Sequence, residues 1–274
     1  MKKQIFIISF ILLVLFAVFS GCTGQGDNGS ASGQAGNTSE ILVYCGAGMS
    51  EPMEEIASRF TTETGIVVNY NFGGSGTLLS QMELTEKGDV YMPGSTADFN
   101  TAMSKGFIVN DTEKLVVYHV PVIAVPKGNP AGITCLADLG NEGVKVELGD
   151  ASACAIGKLS NKIIEKNGLN QTIYPNVVTR AATVNEIVLQ TSLGTVDGSI
   201  IWEDLGDSDD LEIIYIPNNQ NIVKIVPIGV MTFSASPDEA EEFVEYVSSE
   251  KGLSVFEDYG FSTYPADKSA DVKA

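Results

Sequence analysis

The chain has 274 residues, of which 44% are hydrophobic and 19% are charged. Its 16 Lys and Arg against 35 Asp and Glu give a formal net charge of −19 at pH 7. A surface this negative repels nucleic acids and anionic lipid head groups, so neither is expected as a partner. An anionic ligand would have to be held by local dipoles at short range.

The first 21 residues are typical of a secretion signal. Lys2 and Lys3 precede an apolar run over residues 5–19, and the small residues Ser20 and Gly21 follow it. This run is short for a membrane span, although an uncleaved anchor helix is an open alternative. The Gly21-Cys22 junction resembles the lipobox of lipoproteins, in which the cysteine becomes the lipid-carrying N-terminus. We therefore expect an extracytoplasmic protein held to the cell membrane only by lipid on Cys22.

Residues 22–40 are mostly Gly, Ser, Asn, Gln, Asp and Thr. Such a segment has too few apolar side chains to bury a core and is expected to be a flexible tether. The folded part is predicted to begin near Ile41.

Strands, glycine-rich turns and helices alternate through the first half of the chain. The patterns predict strands at 41–44, 66–72 and 89–92. They also predict a helix that Ser50 caps and a second helix after Thr77. Alternation of this kind indicates an α/β fold with mostly parallel sheets.

The same pattern returns in the second half. It predicts strands at 144–148 and 199–202, with a helix over 156–164 after the first of them. Thr183 and Ser236 each begin a capping-box pattern, which predicts a further helix at each position.

Two extended runs, 115–126 and 221–230, look long enough to pass between two lobes. We expect lobe 1 to comprise residues 41–118 and 226–274, and lobe 2 to comprise 119–225. Two crossover strands would form a hinge, so that the cleft between the lobes can close on a ligand.

Four turns stand out at the starts of predicted helices. They are 46–50, 73–77, 150–157 and 182–186. In an α/β sheet the ligand lies beyond the carboxyl ends of the strands, where helix N-termini present unpaired N–H groups. Each turn taken singly has the simpler interpretation of a helix cap. Together the four are suited to a small tetrahedral anion.

Five ordered segments carry a family resemblance. They are VYCGAG (43–48), NFGGSGTL (71–78), the stretch 149–157 that opens with GDAS, TVNE (183–186) and FEDYGF (256–261). They resemble the periplasmic molybdate- and tungstate-binding proteins of ABC importers, from Ile41 to Phe261. The resemblance implies a two-lobed solute-binding protein that delivers molybdate or tungstate to a membrane permease and its ATPase. We expect a monomer without a cofactor or a bound metal.

The resemblance and the hydroxyl groups of the turns together give the candidate ligand-binding residues. These are Ala47, Gly48, Met49, Ser50, Ser75, Gly76, Thr77, Ala155, Ile156, Val184 and Trp202. The chain departs from the family at Gly48, where a serine is usual, and at Ile201 and Trp202, where a tyrosine is usual. Ser50 and the Trp202 indole are the expected replacements.

A transition-metal site is the alternative. Cys45 and Cys154 fall in two of the turns, and His119, the single histidine, falls on a crossover strand. Thiolate and imidazole groups suit a soft or borderline metal. Cys45 and Cys154 could instead form a disulfide, or Cys45 could be a small core residue.

Catalysis is not expected. The GGSGT segment at 73–77 resembles a nucleophile elbow, but Thr77 replaces its last glycine and His119 is the only imidazole available. The glycine-rich turns also lack the Lys-Ser/Thr ending of a nucleotide-binding loop. The sequence therefore predicts a binding protein and not an enzyme.

Overall fold

The computed structural model of the chain describes residues 39–265. The predicted secretion signal, Cys22 and almost all of the tether lie outside these residues. Within the described part, no helix is both long enough and apolar enough to cross a lipid bilayer.

Eleven strands are present in residues 39–265. In chain order they are β1 (Glu40–Gly46), β2 (Val67–Gly73), β3 (Val90–Met92), β4 (Lys114–His119), β5 (Pro121–Pro126), β6 (Val146–Gly149), β7 (Val177–Ala181), β8 (Gly198–Trp202), β9 (Leu211–Tyr215), β10 (Lys224–Val230) and β11 (Ser262–Thr263). They form a six-stranded sheet in the order β11-β4-β10-β3-β1-β2 and a five-stranded sheet in the order β7-β6-β8-β5-β9.

The α-helices connect and cover these strands. They are α1 (Ser50–Thr64), α2 (Ser75–Thr85), α3 (Thr96–Ser104), α4 (Ala155–Lys166), α5 (Asn170–Ile173), α6 (Val184–Ser192), α7 (Pro237–Ser248) and α8 (Glu250–Asp258). We call each sheet with its helices a half of the molecule: α1, α2, α3, α7 and α8 belong to the six-stranded half, and α4, α5 and α6 belong to the five-stranded half.

The α/β fold class is confirmed, but both sheets are mixed rather than mostly parallel. β1 is parallel to β2 and β3, and β6 is parallel to β7 and β8. The remaining pairings, made by β4, β5, β9, β10 and β11, are antiparallel. The parallel strands are those joined by helical crossovers, which the strand and helix alternation predicts.

The chain crosses between the two sheets twice, and the first crossing is short. The predicted extended run 115–126 is two strands, because β4 belongs to the six-stranded sheet and β5 to the five-stranded sheet. The chain changes sheet at Val120 and is back in the six-stranded sheet by Lys224. Close to this return, the Asn221 side-chain amide donates to Pro121 O at 2.8 Å. The lobe boundaries and the hinge remain predictions.

Alternation along β1 shows how the six-stranded sheet is buried on both faces. Val43 and Cys45 pack into the core under α1, α7 and α8, whereas Tyr44 packs into the core under α2 and α3. Successive side chains of a strand point to opposite faces, so both faces of β1 need an apolar cover. A separate core fills the five-stranded half around Ile123, Ile163 and Ile187.

The helix-capping predictions have mixed outcomes. At Thr183 the cap is confirmed, since the Glu186 backbone N–H donates to Thr183 Oγ1 at 3.3 Å. Ser50 is the first residue of α1 and does not cap it, because a 3-10 turn at Ala47–Met49 runs directly into the helix. The Ser236 side chain makes no capping hydrogen bond either, although α7 begins at Pro237 as predicted.

Candidate functional site

A small cavity lies where the carboxyl ends of the parallel strands of both halves meet. The space open to the centre of a water-sized sphere is about 20 Å³. Its walls are formed by Gly46, Ala47, Gly48, Gly73, Gly74, Ser75, Gly94, His119, Cys154, Ala155, Ile156, Val184 and Trp202. Gly46, Gly73 and Trp202 are the last residues of β1, β2 and β8, as expected for a site at the carboxyl edge of a sheet.

Helix N-termini supply most of the polar groups of this cavity. Ser75, Ala155 and Val184 are the first residues of α2, α4 and α6, and the 3-10 turn from Ala47 leads into α1. The first N–H groups of a helix have no partner within it, and the helix dipole places partial positive charge there. Helices from both halves therefore present these positive ends to one space.

Ser75 adds a hydroxyl to the wall. Its side chain is 2% exposed, and its Oγ accepts a hydrogen bond from Gly94 N–H at 3.0 Å. That bond uses a lone pair and leaves the hydroxyl hydrogen available, since no described group accepts it. Gly94 thereby orients Ser75 as a donor toward the cavity.

His119 is the one titratable nitrogen of the cavity wall within the described residues. It is 1% exposed, and its Nδ1 lies 2.9 Å from Gly94 O. Nε2 has no hydrogen-bond partner in the part of the chain that the structure describes. Burial lowers the pKa of His119 to about 4, and the bond to Gly94 opposes that shift only partly. The ring is therefore neutral at pH 7 in the absence of a ligand.

Trp202 packs flat on His119. The two ring centroids are 4.3 Å apart and the planes are inclined by 15°. Trp202 is 3% exposed, and its indole N–H has no acceptor among residues 39–265. The indole is thus a further available donor at the end of β8.

None of the described residues of the wall is Lys, Arg, Asp or Glu. An anion held here would be stabilised by the backbone N–H dipoles, the Ser75 hydroxyl and the Trp202 indole N–H rather than by a fixed counter-charge. A metal cation would find no carboxylate in this wall. It would find no thiolate either, because burial raises the pKa of the Cys154 thiol to about 11.

The two halves touch directly beside the cavity. Gly76 N–H and Thr77 N–H both donate to Ala153 O, at 2.8 and 3.2 Å. On the other side, the Asn185 side-chain amide donates to Ala47 O at 3.1 Å. These bonds join α2 to the turn before α4 and α6 to the turn after β1, so the structure has the two halves closed over the site.

The structure brings most of the predicted site residues together. Those that line the cavity are Ala47, Gly48, Ser75, Ala155, Ile156, Val184 and Trp202. The other four lie elsewhere. Met49 is fully buried in the core, and Ser50 lines a neighbouring groove. Gly76 and Thr77 direct their N–H groups to Ala153 O instead of the cavity.

Sequence reasoning missed Gly94, which orients both Ser75 and His119. The available signal was a strand at 89–92 followed by Pro93-Gly94-Ser95, which is one more glycine turn between a strand and a helix. Ser95 does cap α3, since its Oγ accepts from Asp98 N–H. The sequence suggested His119 as a metal ligand or as a catalytic base, and not as a group that contacts an oxyanion.

The transition-metal alternative is not supported by the geometry. His119 and Cys154 line the cavity, but Cys45 points from β1 into the core beneath α1 and is 0% exposed. Within residues 39–265, no three His, Cys, Asp or Glu side chains are grouped to hold a metal ion. Cys45 and Cys154 are free thiols, as is Cys135, so the predicted alternative of a disulfide between them is wrong.

Comparisons with known proteins agree with this geometry. Residues 41–262 match a family described as bacterial extracellular solute-binding protein. A putative binding protein of Haemophilus influenzae is 31% identical over 227 residues, which cover 81% of this chain and 90% of that protein. The molybdate-binding protein ModA of Mycobacterium bovis is 24% identical, with 91% of this chain and 96% of that protein covered.

Among solved structures, the periplasmic molybdate-binding protein of Azotobacter vinelandii superposes with a TM-score of 0.69. The match covers 81% of this chain and 98% of that one, at 16% sequence identity. At this identity the likeness shows the fold alone, an α/β fold with two mixed sheets.

Proposed function

The chain belongs to the bacterial extracellular solute-binding proteins, and we propose that its cargo is molybdate or tungstate, held in the cavity between the two halves and passed to an ABC permease. Proteins of this family bind solutes and are not enzymes. The curated relative that binds molybdate and the structural likeness to a second one support this choice of cargo.

One observation carries the proposal: helices from both halves begin at a small cavity, and none of the described residues that line it is Lys, Arg, Asp or Glu. N–H groups near Gly48, Ile156 and Val184, with the Ser75 hydroxyl, surround that space. Such a set can donate hydrogen bonds to several oxygens of one tetrahedral anion at once. These donors suit an oxyanion, whereas a metal cation would need several acceptor side chains, and residues 39–265 hold no group of three that could bind one.

The size of the cavity favours an inorganic oxyanion over a larger phosphorylated solute. A space of about 20 Å³ for the centre of a water-sized sphere accommodates a compact ligand of a few heavy atoms. Sulfate and phosphate have the same shape as molybdate but shorter bonds to oxygen. Selection among these anions then depends on how well the fixed donors match the longer bonds of molybdate and tungstate.

Capture follows from the contacts between the halves. Each half supplies only part of the donor set, so a ligand that bonds to both favours the closed arrangement. The closed arrangement is the form that a permease would recognise. Lipid on Cys22 would keep the protein at the membrane surface, near that permease.

Calorimetric titration of the purified full-length chain in detergent tests the proposal. Molybdate, tungstate, sulfate and phosphate are titrated separately, followed by Zn²⁺ under reducing conditions. We expect one-to-one binding of molybdate and tungstate, with much weaker binding of sulfate and phosphate. Heat from Zn²⁺ alone, or tight binding of phosphate with no response to molybdate, would reject this cargo.

A further inference from the structure

His119 presents an unsatisfied atom to the ligand cavity. A backbone carbonyl only accepts hydrogen bonds, so the 2.9 Å contact with Gly94 O places the ring hydrogen on Nδ1. The neutral ring then has a lone pair at Nε2. This atom is buried and has no partner among the described residues, and the side chain lines the cavity.

A lone pair on Nε2 is incompatible with a fully ionised oxyanion beside it. Every oxygen of molybdate or tungstate is also an acceptor, and two acceptors in contact repel unless a hydrogen lies between them. The contact is satisfied when one proton is present, because Nε2–H then donates to the ligand oxygen in a charge-assisted hydrogen bond.

We propose that a proton-free oxyanion binds together with one proton from solvent, which His119 Nε2 holds and donates to a ligand oxygen. The inference rests on the proposed oxyanion-binding function and identifies His119 as a ligand-contacting residue. The neutral imidazole gains one proton, so the ring becomes an imidazolium and supplies the counter-charge that the cavity wall otherwise lacks.

The surroundings of His119 suit a ring that is charged only in the complex. Trp202 stacks on it at 4.3 Å, and an aromatic face stabilises an adjacent cation. Without a ligand, burial keeps the pKa of the ring at about 4. A dianion in contact with the ring raises that pKa, because opposite charge favours the protonated form.

Other titratable groups lie on the elements packed around His119. They are Cys154 in the cavity wall, Glu203 and Asp204 after β8, Lys224 opposite His119 on β10, and the Asp98 and Lys158 pair of α3 and α4. Burial raises the pKa of Asp204 to about 8, so its carboxyl also titrates near neutral pH. The experiment therefore needs a variant of Asp204 as a control.

Proton uptake is measured by titrating the full-length chain with molybdate at pH 6, 7 and 8, in buffers of different ionisation enthalpy. We expect about one proton to be taken up per molybdate bound, and Kd to rise about ten-fold for each unit of pH. In His119→Gln we expect no proton uptake and little change of Kd with pH. A melting curve checks that this variant is folded.

Two variants separate the role of His119 from a general loss of binding. Ser75→Ala removes a donor from the same cavity and is expected to raise Kd by the same factor at every pH. The slope of log Kd against pH is therefore expected to match that of the wild type. Asp204→Asn removes the other group near His119 that titrates near neutral pH. It is expected to leave the uptake at about one proton per molybdate bound. Loss of uptake in Asp204→Asn, with uptake retained in His119→Gln, would overturn the proposal.

The ring itself can be observed, because His119 is the only histidine in the chain. With ¹⁵N-labelled histidine, Nε2 is expected to change from a bare acceptor nitrogen to a protonated one on addition of molybdate at pH 7. Tight molybdate binding with an unchanged Nε2 signal and no proton uptake would overturn this inference and leave the oxyanion function intact. Absence of binding by molybdate and tungstate would overturn both.

Discussion

Lys158 of α4 forms an ion pair with Asp98 of α3, and this pair joins the two halves of the molecule beside the ligand cavity. Lys158 Nζ lies 2.5 Å from Asp98 Oδ1. The Asp98 side chain is 1% exposed and also accepts from Ser95 Oγ at 2.8 Å, whereas Lys158 is 39% exposed. A buried carboxylate is thus paired only when the halves are closed.

Replacing Lys158 tests whether this pair stabilises the closed form. Lys158→Gln removes the charge and leaves Asp98 without its partner in the closed arrangement. Because Lys158 is partly exposed, we expect a modest loss of roughly 1 kcal/mol, or about five-fold in Kd for molybdate. Calorimetric titration measures this change in Kd. Lys162→Gln is the matched control, since Lys162 lies exposed on the same helix with no ion pair among the described residues, and an equal loss there would contradict the role of the pair.

Glycine at position 76 permits the close approach of the halves. A Cβ built on Gly76 would lie 2.0 Å from Ser152 O, a backbone atom of the opposite half. Real Cβ atoms do not approach so closely, so Gly76→Ala is expected to hold the halves apart and to raise Kd by more than about ten-fold. The melting temperature without ligand is expected to change little, because each half keeps its own core.

Small-angle scattering with saturating molybdate provides a second readout for Gly76→Ala. The radius of gyration is expected to be larger than that of the wild-type protein under the same conditions. Ser80→Ala, on the exposed side of α2, is the control and is expected to scatter like the wild type. Wild-type affinity in Gly76→Ala would show that this contact is not needed for closure.

Much of the fold and part of the site could be predicted from local patterns. Strand, glycine turn and helix follow one another in the sequence, and this order places Ser75, Ile156 and Val184 at helix N-termini on one edge of a sheet. The same local reasoning placed Met49 and Ser50 in the site. The structure places neither residue in the cavity wall, because the 3-10 turn runs directly into α1, Met49 packs in the core and Ser50 lines the neighbouring groove.

Features that depend on distant pairing could not be predicted. The antiparallel strands β4 and β10 make the sheets mixed, and their register depends on residues about 100 positions apart. The bond between Gly94 and Ser75 and the contact between Gly94 and His119 likewise link separate segments. Periodicity reports which face of an element is buried, but not which buried residues meet.

Ser75 and Ser50 are both predicted site residues, but Ser75 lines the cavity and Ser50 lines the neighbouring groove. Ser75→Ala is expected to raise Kd for molybdate roughly ten-fold, about the contribution of one charge-assisted hydrogen bond. Ser50→Ala is expected to leave Kd unchanged, because Ser50 lines the neighbouring groove and not the cavity. The two titrations are run at one pH, and the opposite order of effects would mean that the ligand occupies the groove.

Glu147 gives a prediction about stability and pH that is independent of the ligand. Its side chain on β6 is 2% exposed, and Oε2 has no hydrogen-bond partner among residues 39–265. Burial, with a smaller effect from the Glu186 carboxylate, raises the pKa of Glu147 from 4.5 to about 7. The folded protein therefore holds a proton that the unfolded chain releases between these two pH values.

The sign of the effect follows from proton binding. Where the folded state binds more protons than the unfolded state, stability falls as pH rises, so Glu147 lowers the free energy of unfolding progressively from about pH 4.5 to about pH 7. Glu147→Gln keeps the shape of the neutral acid and does not ionise. We expect its melting temperature to exceed that of the wild type by several degrees at pH 8 and to match it near pH 4.5. Glu142→Gln, an exposed site in the same half, is expected to show no such divergence, and parallel curves for wild type and Glu147→Gln would mean that Glu147 reaches solvent.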